Sequence, residues 1–370
     1  MGVRMKKRIS FSVTNDLIYD QRMIRICTSL SQNGYDVLLI GRKKTASSPL
    51  STYPFRQKRL NCWFQSGFAF YAEYNIRLFF FLLFLPVDVL VAIDLDTILP
   101  NLLVSKLRRK ARVYDAHEYF TEVPEVVRRP GVQGVWEKVA GWAIPQFKSC
   151  YTVAEGLACV LTDRYRTPFQ VIRNVPVITS ELPSLSPSPP FVIMYQGVLN
   201  EGRGLEIIMQ AMPKLEDTEL WLAGEGDLSE RLRDLCARLQ LQDRVKFLGY
   251  LSPEHLRQLT PTAHLGLNLL ENKGLSYYYS LANKAFDYIQ AGLPSLQMDF
   301  PAYRALQENY QVFHLLENLN VNSVVEAVNE LRLSSTHYTV IRQHCLDARQ
   351  VLNWKEEERK LLLFYKKIIP

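Results

Sequence analysis

Short apolar runs of strand length, separated by segments of helical period, recur along nearly the whole chain. In the first half they are RISFSV, DVLLIG, DVLVAID, ARVYDAHE, CYTVAE and FQVIRNVP, with a predicted helix from about Asp20 to Gln32. In the second they are FVIMYQG, ELWLAGEG, RVKFLGYL, HLGLNLL and GLPSLQMD. Helices lie between these too; in LSERLRDLCARLQL, leucines fall at 228, 232, 235 and 239. Continuous Val/Ile/Leu runs alternating with helices are the pattern of parallel sheets covered on both faces. Between the halves, residues 180–190 hold four prolines and four serines with no period, which reads as a linker. The 370 residues are too many for one ordinary core. We therefore expect an α/β chain of two Rossmann-like domains facing a central cleft. Residues 1–179 form the N-terminal domain and 191–352 the C-terminal one, with 353–370 a final amphipathic helix.

Charge is unevenly divided. Residues 1–178 carry 25 Lys and Arg against 14 Asp and Glu, whereas the rest carries 19 against 23. A basic front half suits an anionic surface or acceptor. Six scattered cysteines without a C-x-x-C pair argue against a disulfide framework or zinc site and suit a reducing cytoplasm. No secretory signal is read in the basic opening residues. The apolar stretch 77–96 is broken by Pro86 and Asp88, so a buried helix ending near Leu85 and a buried strand are preferred to a membrane span; a hydrophobic foot on a membrane surface is the sharper alternative.

Ligands of open α/β sheets bind beyond the carboxyl ends of the strands. Three second-half loops should converge there. The first, in YQGVLNEGRGLE, flanks Arg203 with Gly202 and Gly204 at a helix start. Glycines let a phosphate approach the backbone, helix-start N–H groups favour anions, and arginine grips two oxygens at once. The second follows WLAGEG and offers Glu225. The third runs into SLANKAFDYIQAGLP, where Lys284 stands near a helix start that disfavours a cation unless an anion shares the site. Asp287, one turn on, suits a ribose diol. The pattern is neither G-x-G-x-x-G nor a Walker loop. DLD at 94–96 is the only local carboxylate pair and reads as a strand end, so no metal or other cofactor is expected. Nucleic acid is not an expected partner, since no groove-reading or stacking motif accompanies the basic half.

With these residues in order, the second half resembles the group 1 (family four) GT-B glycosyltransferases, which move a sugar from a nucleoside diphosphate to an acceptor. The matching stretches, YQGVLNEGRGLE, LWLAGEGD, DRVKFLGYLSPEHL, HLGLNLL and NKAFDYIQAGLP, span 195–294. VYDAHEYF in the first half matches the family's strand-end histidine. The resemblance implies that Arg203 and Lys284 hold the donor pyrophosphate and act in catalysis, and that Asp287 grips the ribose in place of a glutamate. It implies His117 at the donor sugar, Gly197 close to phosphate or acceptor, retention of configuration, and a terminal helix crossing back to the first domain.

The family's first glutamate, eight residues before the second, is Tyr279 here. Glu271, or the backbone near Gly274 and Leu275, is expected to take its place, with Asn283 also donor-side. Tyr277, Tyr278 and Tyr279 are read as loop packing before base or sugar stacking. Acceptor contacts are expected from Asn15, Asp16 and Asp20. The expected partners are a nucleotide-sugar donor and a surface-glycan or lipid-linked acceptor, with an anionic membrane surface a further candidate. The expected location is cytoplasmic, at or near the inner face of the membrane. A nucleotide-sugar epimerase and a non-catalytic binding protein are the rival readings.

Overall fold

The computed structural model describes residues 6–18, 20–45, 47–178 and 190–369. The chain forms two compact units, one of Met1–Asn174 with Glu357–Pro370 and the other of Val175–Glu356. Most of the proline-rich stretch 180–190 lies outside the described residues.

The N-terminal unit is built on a seven-stranded parallel sheet ordered β3-β2-β1-β4-β5-β6-β7. Its strands are β1 (Arg8–Ser12), β2 (Asp36–Lys43), β3 (Arg56–Asn61), β4 (Val89–Ile93), β5 (Ala111–Ala116), β6 (Cys150–Thr152) and β7 (Phe169–Val171). The C-terminal unit has a six-stranded parallel sheet ordered β10-β9-β8-β11-β12-β13. These are β8 (Phe191–Gln196), β9 (Thr218–Ala223), β10 (Val245–Gly249), β11 (Leu265–Asn268), β12 (Ser295–Met298) and β13 (Phe313–Leu316). Both orders reverse beside the first strand of the unit, the doubly wound arrangement that opens a crevice at the strand ends.

Central strands are the ones with continuous apolar sequence: all five residues of β4 are buried. The two strands not anticipated from the sequence, β3 and β13, are both edges. β3 reads RQKRLN and is largely exposed, the charged kind of edge that resists pairing with another chain.

The predicted first helix is α1 (Gln21–Gln32), with Asp20 as its N-cap accepting from Met23 N at 3.0 Å. The apolar stretch after β3 forms α2 (Gly67–Phe84), whose chain leaves helical geometry at Leu85. The expectation of a buried helix holds for one side only. Phe70, Tyr74, Leu78 and Leu82 pack into the core, and the opposite side is open. The helix α3 (Ile98–Leu107) lies beside it.

Residues 357–369 pack within the N-terminal unit. Phe364 meets Tyr151 edge-on at 5.0 Å, Tyr365 packs on Phe11 at 6.1 Å, and the Glu357 carboxylate accepts from Arg173 N at 2.9 Å.

Candidate functional site

In the C-terminal unit the order reverses between β8 and β11, and the loops after both strands meet there. Gly202 O accepts from Glu271 N at 2.9 Å, stitching one loop to the other. Gly204 has φ +66°, and a Cβ there would lie 2.6 Å from Leu269 O, so the α-helix Leu205–Ala211 can start here only from a glycine. The turn after β9 closes on the turn after β8 in the same way. A Cβ on Gly224 would fall 1.9 Å from Gly197 O.

Two cations stand at this junction, each over a tyrosine face. Lys284, at the start of the helix Asn283–Gln290, places Nζ 3.6 Å from the Tyr195 ring centroid. Gly197 faces it: a Cβ there would be 3.4 Å from Nζ. Arg203 places its guanidinium 4.8 Å from the Tyr277 centroid, with Nε buried and without a hydrogen-bond partner. Burial and the charge of Arg203 push the Lys284 ammonium well below the usual lysine range, against the pull of Asp287. The two positive groups are therefore near enough to repel, which is favourable only where an anion arrives between them. Asp287 is held in turn: one oxygen accepts from Gln196 Nε2 at 2.8 Å, and Gln196 Oε1 accepts from Thr260 Oγ1 at 2.9 Å.

Other expected donor residues are placed differently. Glu225 forms an exposed pair with Arg233 at 2.7 Å, and only its carbonyl reaches the β8 turn, accepting from Leu199 N. The Glu271 carboxylate pairs with Lys273 at 2.8 Å. Gly274, at φ +124°, precedes the short helix Leu275–Tyr278, with Leu275 exposed, and Asn283 is exposed at its helix start. Tyr277 is not mere loop packing, since it carries Arg203; Tyr278 packs on Phe300 at 5.2 Å. Tyr195, Gln196 and Thr260 carried no signal in the sequence, because they read as strand and helix filler.

In the N-terminal unit His117 follows β5. Its backbone N donates to Asp94 Oδ1 at 2.8 Å, and its ring lies 3.1 Å from Asp115 Oδ2 through Nε2 and 3.7 Å from Asp94 Oδ2 through Nδ1. Arg22, almost wholly buried, donates to Asp115 at 3.0 Å and to Ile172 O at 2.9 Å. Burial alone would lower the His117 pKa, but Asp115 and Asp94 outweigh it and raise it to about 9. Burial pushes the Asp94 carboxyl up, opposed by His117. Asp96 accepts from Thr14 Oγ1 at 2.5 Å and is raised to about 6 by burial, with that hydrogen bond opposing. Asp94 itself sits at φ +53°, a left-handed conformation uncommon outside glycine. The DLD segment does follow the strand end, and it also supplies both carboxylates on this side of the histidine. The ring keeps about a fifth of its surface exposed, so it is partnered and accessible at once.

The three expected acceptor residues are engaged by protein groups, mostly of their own loop, with Asp16 also accepting from Ser47 Oγ at 3.5 Å. Asn15 donates to Asp20 at 2.7 Å and accepts from Leu17 N, Asp16 accepts from Ile18 N, and Asp20 caps α1. Among the described residues one triad could hold a cation, His314, Glu330 and His337, and it contains no candidate donor residue.

Residues 190–333 match the family described as Glycosyl transferases group 1. The lipopolysaccharide core biosynthesis glycosyltransferase LpsD of Rhizobium meliloti is 29% identical over 29% of this chain and 35% of its own length. The aligned part thus spans about a third of that relative. Among solved structures, sucrose-phosphate synthase from Thermosynechococcus elongatus superposes with a TM-score of 0.81 over 98% of this chain and 99% of its own, at 14% identity. HepE of Anabaena in complex with UDP-glucose gives 0.76 over 97% and 99%, also at 14% identity. Two parallel doubly wound sheets on this plan are the GT-B fold. Within that fold, residues 190–333 are the part of the chain that is similar to the group 1 glycosyltransferases.

Proposed function

We propose that this chain transfers a glycosyl group from a nucleoside-diphosphate sugar to a surface-glycan or lipid-linked acceptor, with retention and without a metal, at the cytoplasmic side of a membrane. The observation that carries the reading is the convergence of Arg203 and Lys284 at the β8/β11 junction, on aromatic faces and beside Gly197. Each cation can offer a diphosphate charge-assisted bonding of about 1.5–3 kcal/mol. The same contacts strengthen as the diphosphate departs with its charge, so they lower the barrier as well as bind the donor. Asp287, steadied by Gln196, suits the ribose hydroxyls. HepE has been crystallised with UDP and UDP-glucose, which makes uridine donors the first to try. The likeness to a lipopolysaccharide core enzyme supports a glycan acceptor.

The test is calorimetric titration of UDP, GDP and ADP into the parent, Arg203→Ala and Lys284→Ala. Each variant should bind the preferred nucleotide about 10- to 100-fold more weakly. Unchanged affinity for all three nucleotides in both variants refutes the donor site. Incubating a nucleotide sugar without acceptor separates transfer from epimerisation, since only an epimerase yields the isomeric sugar nucleotide.

A further inference from the structure

Three side chains able to ligate a metal, none of them used by the donor site, converge at one edge of the C-terminal sheet. His314 is the second residue of β13, a strand of four residues that pairs with β12 and forms the sheet edge. Glu330 lies in the last turn of the next helix, Val321–Leu333. His337 lies in the first turn of the helix after it, Ser335–Ala348. One residue sets the spacing of these two. Ser334 N donates to Glu330 O at 3.0 Å and closes the first helix, and Ser334 Oγ accepts from His337 N at 3.4 Å and opens the second. The turn so formed brings both side chains up to His314.

The two histidines address opposite oxygens of one carboxylate. His314 Nε2 is 4.0 Å from Glu330 Oε2, and His337 Nε2 is 3.7 Å from Glu330 Oε1. Each of the three offers a ligand atom within 4.8 Å of the others. These separations exceed hydrogen-bond distances, which end near 3.2 Å. They approach the ~3.4 Å that separates nitrogen and oxygen ligands around a tetrahedral zinc ion. The imidazole planes stand at 88° with centroids 6.3 Å apart, so the rings do not stack. Among the described residues no lysine or arginine takes the Glu330 carboxylate; Arg332, two positions on, donates instead to Glu216 O and Asn329.

The helix ends point the same way. A carboxylate in a last turn and an imidazolium in a first turn both oppose the helix dipole. A metal ion between them removes both conflicts: the negative helix end and Glu330 attract it, and histidine binds a metal through its neutral ring.

We propose that His314, Glu330 and His337 bind one divalent first-row transition-metal ion, zinc in the first instance. Imidazole and carboxylate suit such an ion, whereas magnesium and calcium call for oxygen ligands throughout. The ligand atoms need to close by about 1 Å to reach zinc distances. Glu330 and His337, both about half exposed, can supply that movement while the less exposed His314 is held by its strand. The ion fastens a short edge strand to the turn between two helices. It shares no residue with the donor loops, so its role is to steady this edge of the sheet and not to take part in transfer.

The experiment uses the full chain, freed of metal by dialysis against a chelator and titrated calorimetrically with zinc chloride at pH 7.5. The parent should take up one equivalent, and its melting temperature should rise with zinc concentration. Magnesium and calcium should do neither. Cobalt(II) should give the intense visible bands of a four-coordinate site and be displaced by zinc. His314→Gln, Glu330→Gln and His337→Ala should each bind about tenfold or more weakly. Far-ultraviolet circular dichroism in chelator should match the parent's, which shows that the variants are folded. Cys62→Ser/Cys159→Ser should bind zinc as the parent does, since no thiol belongs to the site. The proposal falls if the parent shows no saturable uptake below about 100 μM zinc, ~5 kcal/mol of binding. It also falls if either histidine variant binds as tightly as the parent, or if the cysteine variant is the one that loses zinc.

Discussion

Lys284 rests 3.6 Å above the ring of Tyr195, and Arg203 rests in the same manner on Tyr277. The two cations of the β8/β11 junction are thus seated on aromatic faces, which hold a positive group in place while leaving its hydrogens for a ligand.

This seating predicts a ring-specific effect. Tyr277→Leu should weaken nucleotide binding about three- to tenfold, the scale of one cation–π contact. Tyr277→Phe keeps the ring and should restore most of it. Calorimetry on the pair checks this; equal losses in both variants assign the effect to the hydroxyl instead.

Binding should also consume protons. Burial and Arg203 depress Lys284 in the free protein, and a diphosphate adds negative charge that raises it again. Affinity should therefore fall as pH rises through the lowered Lys284 pKa. Titrations in buffers of different ionisation heat should show proton uptake, absent in Lys284→Met.

His117→Ala should leave nucleotide affinity unchanged and abolish transfer. The imidazole and the proposed diphosphate site are built from separate units of the chain, so loss of one does not dismantle the other. Turnover equal to the parent removes His117 from the reaction. Loss of UDP binding points to a folding defect.

Stability should decline on the alkaline side. His117 is raised to about 9 by Asp115 and Asp94, from about 6.5 in an unfolded chain. Asp94 is raised too. Both shifts mean that the folded form holds protons the unfolded form releases, so their stabilisation is full at lower pH and drains away as pH climbs toward 9. Asp115 acts in the other direction: burial raises it, but Arg22 and His117 outweigh that and lower it, so its contribution is lost on acidification. Melting temperature should drop between neutral pH and pH 9, and by less in His117→Gln.

Gly224→Ala should destabilise the C-terminal unit by at least about 1–3 kcal/mol, since its Cβ would lie 1.9 Å from a backbone oxygen at a φ of +153°. Chemical denaturation measures this directly.

Much of this was legible in the chain itself. Central strands such as β4 and β8 announce themselves by unbroken apolar sequence, and Asp20 announces the start of α1. Arg203 between two glycines, and Lys284 where the helix dipole repels it, were enough to nominate a phosphate site. What escaped notice depends on distant partners. Tyr195 looks like any strand residue until Lys284, 89 positions later, settles on it. Arg22 looks like a helix surface residue until Asp115 and Ile172 draw it inward. The edge strand β3 is too polar to leave an apolar signature, and β13, FHLL, is too short to stand out from the helices on either side. Glu225 and Glu271 were plausible by position, but each has a basic neighbour that occupies its carboxylate.

The turns after β8 and β9 meet through Gly197 and Gly224 with no room for a methyl group between them. Neither can be rebuilt without unseating the other. A laboratory effort to retune the site is therefore best aimed at solvent-facing positions of the loop after β11, such as Leu275, and away from Glu271 and Tyr277, which hold the adjoining loop and Arg203.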